Sequence, residues 1–360
     1  MKRSKILFVS TPVAALGDGT GGGVELTVTN MTQVLQQRGH QVHVLAPIGS
    51  KLPNDDIRVI EIDGTPQPSI QALGRDSYVT LPCDSLLENM WAYVRSHQQD
   101  YDLIVNVAYD WLPFYLTAFL PRPVAHLVSM GSLTDAMDQI IAKVAAQFPG
   151  SISVYTKTQA QTFDNGDRFF PIGFGLDLSL YEYCDRPQKQ LCWMGRISPE
   201  KAIEDAVDAA HQCQMPLQVM GKLQDAEYFQ GVTESFPAEA LDYLGFKSTQ
   251  DMQKVLRTCE ALVATPRWVE AFGIVMIEAL ACGVPVIAYS RGGPTEIVRS
   301  GTTGFLVEPD SVKGLVAAIK QLPQLDRRDC RRQAEQNHSL ETLGDRIEQW
   351  LAQTLNNWSP

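Results

Sequence analysis

The sequence predicts an α/β protein of two doubly wound domains, each built around a parallel β-sheet. Three observations lead to this fold class. Short apolar runs typical of strands alternate with helical patterns along most of the 360 residues. A segment rich in Gly, Asp and Pro, residues 171–189, interrupts the alternation near the middle of the chain. The hydrophobic content of 44% supplies apolar side chains for two cores and excludes a disordered chain or a fibre.

The first half of the chain opens with a βαβ unit. Residues 5–10 and 41–46 are apolar runs typical of buried parallel strands. Between them lie a glycine-rich loop at 17–23 and a helix at 24–38, in which apolar residues recur every three or four positions. The same patterns predict three further strands, at 103–107, 124–128 and 151–154.

The second half repeats the alternation of strands and helices. A helix at 199–213 joins predicted strands at 191–194 and 217–220. Apolar runs predict two more strands, at 261–264 and 284–288. An amphipathic helix follows near the end of the chain.

Domain boundaries follow from the interruption of the pattern. We predict a first domain over residues 1–171 and a second over 172–345, both of ordinary domain size. The C-terminal helix, 346–360, is expected to pack back toward the first domain.

Charge and cysteine content exclude several classes of function. The net charge is −11 and both halves are acidic, so we expect no nucleic-acid partner. The seven cysteines are scattered without CxxC spacing, which indicates reduced thiols and no zinc site. The first apolar run is too short for a signal peptide, and polar or helix-breaking residues interrupt the longest one, 274–289. We expect a cytoplasmic protein without stable membrane association. The sequence indicates nothing about its oligomeric state.

The glycine-rich loop contains a GxGxxG pattern at residues 17–22. The first glycine lies seven residues past the strand, and strand 41–46 lacks the terminal carboxylate that binds ribose in dehydrogenases. A dinucleotide-dependent dehydrogenase is therefore disfavoured. Gly22 and Gly23 can still bring free backbone N–H groups of a helix N-terminus to a ligand, or simply form a tight loop. Glu25 is either an acid favoured by the helix dipole or a polar ligand contact.

A stronger pattern follows strand 191–194, where Arg196 and Lys201 flank the predicted start of a helix. Cations are electrostatically unfavourable at a helix N-terminus unless an anion binds there. The pattern therefore predicts an anion site, with Arg196 as a forked ligand and Lys201 as a point charge. The alternative is a surface pair neutralised by Glu200 or Glu204.

Two carboxylates, Glu270 and Glu278, bracket the start of an apolar helix. If this helix begins near Gly273, its amides form a second anion site. Were the whole span helical, the two carboxylates would lie about 12 Å apart, at 1.5 Å rise per residue. Such a spacing suits an elongated ligand with an anionic middle and hydroxylated ends, and Glu278, on an apolar face, needs hydroxyl or N–H partners.

These motifs together resemble the retaining nucleotide-sugar glycosyltransferases of family 4, which have the two-domain GT-B fold. The resemblance extends over nearly the whole chain and includes the segments 21–25, 38–42, 195–196, 200–201, 270–278, 281–286 and 301–307. Ala202 departs from the family pattern, which often has glycine after the lysine.

The resemblance implies roles for individual residues. Arg196 and Lys201 would hold the donor diphosphate, Glu278 the ribose hydroxyls, and Glu270 the hydroxyls of the donor sugar. Backbone contacts to the donor would come from Gly22, Gly23, Phe272, Gly273, Ile274 and Val275. His126 matches the active-site histidine of the family at a strand end, although a lone histidine is by itself more often a packed residue.

The acceptor site is expected in the first domain. Tyr109, Asp110 and Trp111 combine aromatic faces with one carboxylate near a strand end, which suits a flat heteroaromatic ring. The alternative is an ordinary helix start with Asp110 as its N-cap. Several segments of this half resemble family members that transfer glucose from UDP-glucose to tetrahydrobiopterin, so the resemblance implies a pteridine acceptor.

The implied reaction moves glucose from UDP-glucose to an acceptor hydroxyl with retention at the anomeric carbon. No acidic metal-binding cluster follows a strand, so we expect neither a metal nor another cofactor. Two alternatives remain: a family 4 enzyme acting on a lipid or polysaccharide, and a nucleotide-sugar-binding protein without turnover. The acidic first half favours a soluble acceptor over a membrane-bound one.

Overall fold

The computed structural model describes residues 1–17 and 22–359, which form two compact units. Unit 1 comprises Met1–Gly175 and Leu340–Pro360, and unit 2 comprises Leu176–Ser339. The divisions thus fall at 175/176 and 339/340, where the sequence predicted 171/172 and 345/346. Among the described residues no helix is long and apolar enough to cross a bilayer.

Unit 1 is built on a seven-stranded, fully parallel sheet of order β3-β2-β1-β4-β5-β6-β7. Its elements are β1 (Lys5–Val9), α1 (Gly22–Gln37), β2 (Gln41–Pro47), β3 (Arg58–Ile62), α2 (Leu86–His97), β4 (Leu103–Asn106), α3 (Trp111–Thr117), β5 (Val124–Leu127), α4 (Asp135–Gln147), β6 (Ile152–Val154), α5 (Lys157–Ala160) and β7 (Phe170–Pro171). Strand order reverses between β1 and β4, so a crevice is expected where these two strands end.

Unit 2 has a six-stranded parallel sheet of order β10-β9-β8-β11-β12-β13. Its elements are β8 (Leu191–Met194), α6 (Ile203–Gln212), β9 (Leu217–Met220), α7 (Ala226–Ser235), β10 (Leu241–Tyr243), α8 (Thr249–Leu256), β11 (Ala261–Ala264), α9 (Ile274–Ala281), β12 (Val286–Tyr289), α10 (Pro294–Ile297), β13 (Gly304–Val307), α11 (Val312–Ile319) and α12 (Arg327–Asn337). Here the order reverses between β8 and β11. The predicted fold class, two doubly wound parallel sheets, is confirmed.

The last helix, α13 (Leu340–Asn357), belongs to unit 1 and packs on α1. Its buried residues recur every three or four positions and form one apolar face: Leu343, Gly344, Ile347, Trp350, Leu351 and Thr354. Glu348 accepts a hydrogen bond from Arg38 at 2.7 Å and lies 3.1 Å from His40 Nε2, which ties α13 to the end of α1. The helix is thus part of the unit 1 core.

One predicted helix, 199–213, begins later than the sequence suggested. Residues Pro199–Lys201 form a single 3₁₀ turn, and Ala202 adopts left-handed dihedral angles, φ 47° and ψ 54°. Helix α6 starts only at Ile203. A non-glycine residue in this conformation carries roughly 1–2 kcal/mol of strain, so propensity alone could not have indicated the break.

The predicted strands omitted β3, β7, β10 and β13, which lie at or next to the sheet edges. Edge strands lack the long apolar run of a central strand because one side or face meets solvent. In β3, for example, Arg58 and Glu61 are exposed. Periodicity therefore identified the central strands and missed those at the edges.

Candidate functional site

A cluster of charged and aromatic side chains follows the ends of β8 and β11, the strand pair at which the unit 2 sheet reverses. The Lys201 ammonium forms an ion pair with Glu270 and lies 4.7 Å from the ring centre of Trp268. The Arg196 guanidinium lies 5.9 Å from the same ring. Trp268 Nε1–H donates to Glu270 Oε2 at 3.1 Å. The structure thus brings together three predicted residues around Trp268, which the sequence analysis did not select.

The electrostatics of this cluster favour the ionised form of the Glu270 carboxyl group. Burial alone raises the pKa of Glu270, but the Lys201 charge and the hydrogen bonds from Lys201 and Trp268 outweigh it and lower the pKa overall. Arg196 donates to Gln224 at 2.6 Å and lies 3.3 Å from a Glu200 oxygen. The alternative of a neutralised surface pair therefore describes part of the Arg196 environment.

Backbone and side-chain hydrogen bonds hold the two cluster loops together. The Thr265 hydroxyl lies 2.9 Å from the Lys201 carbonyl and 2.8 Å from the Ala202 carbonyl. The Arg267 backbone N–H donates to the Glu200 carbonyl at 2.9 Å. These bonds stabilise the strained backbone conformation of Ala202 and hold Lys201 opposite Glu270.

The segment between Glu270 and α9 is held by two glycines that follow β12. Gly293 N–H donates to the Glu270 carbonyl at 2.7 Å. A Cβ atom at Gly292 would lie 2.4 Å from the Glu270 carbonyl oxygen, and one at Gly293 would lie 2.1 Å from that of Phe272. Only glycine permits this close approach. The sequence analysis did not select either residue.

Helix α9 begins at Ile274 with Gly273 (φ 96°) as its N-cap residue, so its first free amides are at the position expected. Ile274 and Val275 are half-buried, whereas Phe272 is buried. Since Glu270–Gly273 precedes the helix, the 12 Å separation of the two carboxylates, which assumed a helical span, does not apply.

Glu278 lies in the second turn of α9 and is 6% exposed. Its Oε1 accepts a hydrogen bond from the Tyr181 hydroxyl at 2.8 Å. Burial raises the pKa of Glu278 to about 7, and the bond from Tyr181 opposes that rise. The carboxylate thus has the hydroxyl partner that its apolar surroundings require, from a residue that sequence reasoning missed.

The glycine-rich loop of unit 1 lies partly outside the described residues, which omit 18–21. Gly22 and Gly23 are exposed at the start of α1. Glu25 Oε1 accepts a hydrogen bond from Gly17 N–H at 2.9 Å, so Glu25 connects the beginning of the loop to the helix. Ligand contacts by these residues stay predictions.

A small cavity of about 40 Å³ lies at the carboxyl ends of β1, β4 and β5 in unit 1. Tyr109 and Asp110 line it, together with Thr11, Pro12, Val13, Val24, Pro68, Ser69, Ile70, Val107, Ser129 and Met130. Burial raises the pKa of Asp110 to about 6. Trp111 is absent from the lining and stacks on Tyr115, with 4.6 Å between ring centres. Asp110 also occupies the N-cap position of α3, as the alternative interpretation expected, and its contact with an acceptor stays a prediction.

Gln67 is a further polar residue beside this cavity that the sequence analysis did not select. Its backbone N–H donates to the Pro12 carbonyl at 3.1 Å, and its side-chain amide donates to the Thr80 carbonyl at 2.8 Å. A hydrogen bond from Gln67 opposes the raised pKa of Asp110. The Gln67 Oε1 atom is buried and has no partner among the described residues.

The structure places His126 inside the unit 1 sheet, close to the carboxyl end of β5. This residue is the third of the four in β5 and is completely buried. Asn106 lies 3.1 Å from its Nδ1, Thr117 lies 2.8 Å from its Nε2, and Phe114 stacks on the ring. Burial lowers its pKa to about 3, so the ring is neutral. His126 is thus a packed residue whose two ring nitrogens both lie within hydrogen-bond distance of protein groups, and its contact with a donor sugar stays a prediction.

No metal-binding group of three or more His, Cys, Asp and Glu side chains occurs within the part of the chain that the structure describes. The expectation of a metal-independent reaction stays a prediction.

Two family models match the chain. Residues 21–129, in unit 1, match the model described as Glycosyltransferase Family 4, and residues 185–339, in unit 2, match Glycosyl transferases group 1. D-inositol 3-phosphate glycosyltransferase of Mycobacterium marinum is 25% identical, over 89% of this chain and 78% of that protein. The protein of the same name from Nocardia farcinica is 25% identical, over 85% and 78%.

Solved structures share the fold. HepE of Anabaena, solved in complex with UDP and glucose, has a TM-score of 0.75 at 20% identity, over 97% of this chain and 100% of that one. Sucrose-phosphate synthase from Thermosynechococcus elongatus has a TM-score of 0.78 at 20% identity, over 98% and 100%. Because the two family models together cover more than two thirds of the residues, the chain belongs to the family 4 and group 1 glycosyltransferases of the GT-B fold.

Proposed function

We propose that the protein transfers glucose from UDP-glucose to a hydroxyl of a small soluble acceptor, with retention at the anomeric carbon. One observation carries this proposal: Arg196 and Lys201 converge over Trp268, on loops that follow the reversal of the unit 2 sheet. Two cations at this edge suit the diphosphate of a nucleotide sugar.

Stabilisation of the leaving diphosphate is the main catalytic task. Negative charge develops on the β-phosphate as the anomeric bond breaks, and fixed cations stabilise that charge better than water does. Arg196, Lys201 and the amides at the start of α9 would supply this stabilisation. The departing phosphate would help to remove the acceptor proton.

Glu270 and Glu278 would bind the two hydroxylated ends of the donor. Glu270 is held charged and oriented by Lys201 and Trp268, so it can accept hydrogen bonds from sugar hydroxyls. Glu278 has a carboxylate fixed on α9 for the ribose hydroxyls. The HepE structure, solved with UDP and glucose, supports the choice of donor by similarity of fold.

The cavity in unit 1 favours an uncharged acceptor with N–H donors, and we propose a pteridine such as tetrahydrobiopterin. Its described lining contains one buried carboxyl group and no lysine or arginine. Asp110 and the unpartnered Gln67 Oε1 both accept hydrogen bonds. A cavity of 40 Å³ is close to the roughly 30 Å³ that one water occupies in the liquid, so only the polar edge of a ring would enter it.

An inositol phosphate is a second candidate acceptor, favoured by the names of the relatives at 25% identity. Its phosphate needs cations, which the described lining of the unit 1 cavity lacks. This candidate therefore requires a different acceptor site from the one around Asp110. Lipid and polysaccharide acceptors remain further alternatives.

Product analysis tests the proposal directly. The protein is incubated with UDP-glucose and, in parallel, with reduced pterins, D-inositol 3-phosphate or no acceptor. We expect a hexose mass increment on a pterin and an α-anomeric proton in its NMR spectrum. A β-linked product would contradict retention, and transfer only to inositol phosphate would replace the pteridine. UDP binding without transfer to any acceptor would indicate a non-catalytic binding protein.

A mutational control belongs to the same assay. Lys201→Ala should lower kcat/KM by about 100-fold or more, because loss of one transition-state charge contact costs about 2.7–4 kcal/mol. Lys254→Ala, which removes an exposed lysine paired with Asp251 on α8, should leave the rate unchanged. Equal rates for both variants would contradict the proposal that Lys201 binds the donor diphosphate.

A further inference from the structure

Tyr181 lies in the segment between β7 and β8, and its side chain is unusually buried for a residue outside the strands and helices. It precedes β8 by ten residues, yet it is 3% exposed and its hydroxyl donates to Glu278 Oε1 at 2.8 Å. Burial and the neighbouring Glu278 charge raise the pKa of Tyr181, so its hydroxyl stays protonated and acts as the donor. No other described side chain hydrogen-bonds to Glu278.

The backbone of Tyr181 is fixed to the helix that carries Glu278. Arg331 of α12 donates through the same nitrogen to the Tyr181 carbonyl at 2.9 Å and to the Ala281 carbonyl, in the last turn of α9, at 2.7 Å. Arg327 of α12 donates to the Cys184 carbonyl at 2.7 Å. Helix α12 thus holds the segment 181–184 against α9, so the hydroxyl and the carboxylate keep one geometry.

Few charged groups compete with this bond. Directly after α9, burial raises the pKa of the Cys282 thiol to about 12, so this thiol is neutral. Two of the four arginines of α12, Arg327 and Arg331, donate to backbone carbonyls. At the end of α8, Arg257 is paired with Glu182. Tyr181 is therefore the group that sets the orientation of Glu278.

We propose that Tyr181 is a positioning residue for donor binding, holding one oxygen of Glu278 so that the carboxylate presents the other to the ribose hydroxyls of the nucleotide. The inference rests on the donor role of Glu278 in the proposed function. The affinity of the protein for the ribose then depends on Tyr181, which lies outside the 270–278 motif that carries Glu278.

The physical reason is that a buried carboxylate without a partner takes up a proton. Burial already raises the pKa of Glu278 to about 7, and the Tyr181 bond is what opposes a further rise. Ribose hydroxyls bind best to the ionised carboxylate, which accepts from both. Loss of the Tyr181 hydroxyl should therefore weaken nucleotide binding most near neutral pH and less at higher pH, where Glu278 ionises in either case.

Tyr181→Phe tests the inference through the Kd of UDP, measured by calorimetry between pH 6.5 and 8.5. We expect about tenfold weaker UDP binding than wild type at pH 7, as for loss of a hydrogen bond to a charged group, and a smaller difference at pH 8.5. Tyr183→Phe is the matched control, because Tyr183 lies two residues away, is 38% exposed and does not contact Glu278 through a hydrogen bond. It should bind UDP as wild type does.

Two further measurements separate positioning from a general structural effect. Wild type and Tyr181→Phe should bind 2′,3′-dideoxy-UDP with equal affinity, because this ligand lacks the hydroxyls that Glu278 receives. In a Glu278→Gln background, Tyr181→Phe should have no additional effect on UDP binding.

Wild-type affinity of Tyr181→Phe for UDP at pH 7 would overturn the inference while leaving the proposed function intact. An equal loss for UDP and the dideoxy ligand would also overturn it, since it would show a structural defect. Absence of UDP binding to the wild-type protein would overturn the proposed function itself, and this inference with it.

Discussion

At the scale of single residues, Trp268 organises the charged cluster of unit 2. Its ring lies below both cations, and its indole N–H donates to Glu270. A cation over an indole face gains about 0.5–2 kcal/mol, depending on how much water is excluded. One side chain thus contacts the three predicted residues and fixes their mutual positions.

Replacement of Trp268 should therefore impair transfer in a graded way. Trp268→Ala removes the ring and the N–H donor, and we expect kcat/KM to fall by about 10- to 100-fold, equivalent to about 1.4–2.7 kcal/mol. Trp268→Phe keeps an aromatic face without the N–H group, so its loss should be smaller. Steady-state kinetics with UDP-glucose measure both, and an unchanged rate in Trp268→Ala would contradict the organising role.

Asp110 gives a residue-scale prediction about stability. Its folded-state pKa of about 6 lies above the ordinary 3.8, so the folded protein binds the proton more tightly than the unfolded chain does. Its contribution to stability is therefore most favourable below pH 4 and declines as the pH rises toward 6. At about 1.4 kcal/mol per pKa unit, the full difference is about 3 kcal/mol.

Asp110→Asn should remove this pH dependence. We expect the variant to have a higher free energy of unfolding than wild type at pH 7.5, by up to about 3 kcal/mol, and no advantage at pH 4. Urea unfolding across this pH range measures the difference. Asp164→Asn, at an exposed site in the same unit, is the control. A gain that did not vary with pH would show that burial of the Asp110 charge is not its cause.

At the scale of elements, the unit 2 site is formed by loops. Each loop lies between the end of a strand and the delayed start of the next helix. The 3₁₀ turn Pro199–Lys201 and the left-handed Ala202 delay α6. Residues 265–273 precede α9, and the Gly292–Gly293 pair supports them. The site thus depends on irregular backbone whose hydrogen bonds are supplied by neighbouring loops.

Gly293→Ala tests this support. The added Cβ would meet the Phe272 carbonyl oxygen at 2.1 Å, so the backbone must shift, and we expect a loss of about 1–3 kcal/mol in unfolding free energy. Donor affinity should fall as well, because the displaced segment carries Glu270. Gly231→Ala in the exposed helix α7, with no atom within 4 Å of the new Cβ, should instead stabilise by about 0.5–1 kcal/mol. Unfolding of Gly293→Ala at the wild-type midpoint would contradict the packing argument.

At the scale of the whole molecule, unit 1 is assembled from two distant parts of the chain. Helix α13 enters it after unit 2 is complete in sequence and packs on α1. Trp350, on the buried face of α13, is fully buried. The core of unit 1 therefore includes side chains of α13 as well as those of the first 175 residues.

Trp350→Ala should destabilise unit 1 by about 3–5 kcal/mol, as expected for a buried tryptophan. Gln349→Ala, on the exposed face of the same helix, should change stability by less than about 0.5 kcal/mol. Hydrogen exchange followed by mass spectrometry would localise the effect. We expect amides of β1 and α1 to lose protection while those of β8 and β11 keep theirs, and equal loss in both units would contradict this assignment.

Local patterns in the sequence were sufficient to predict the fold class and the central strands, and to select the motifs that we propose bind the donor. These follow from local patterns: apolar runs, helical periodicity, and the pairing of Arg196 and Lys201 beside a strand end. The sequence also placed the start of α9 at Gly273, because a glycine before an apolar helix is a local signal. The family assignment at the level of glycosyltransferases was predicted from the same motifs and is confirmed.

The residues that support the site could be identified only from the folded protein. Trp268, Tyr181 and Gln67 carry no local signal, because their partners are brought to them by sheet order and by packing of distant helices. The sequence left two interpretations of His126 open, a packed residue and an active-site residue, since a histidine in a central strand and one at a strand end have the same local pattern. Contacts between residues far apart in the chain depend on the whole fold, and a local pattern cannot encode them.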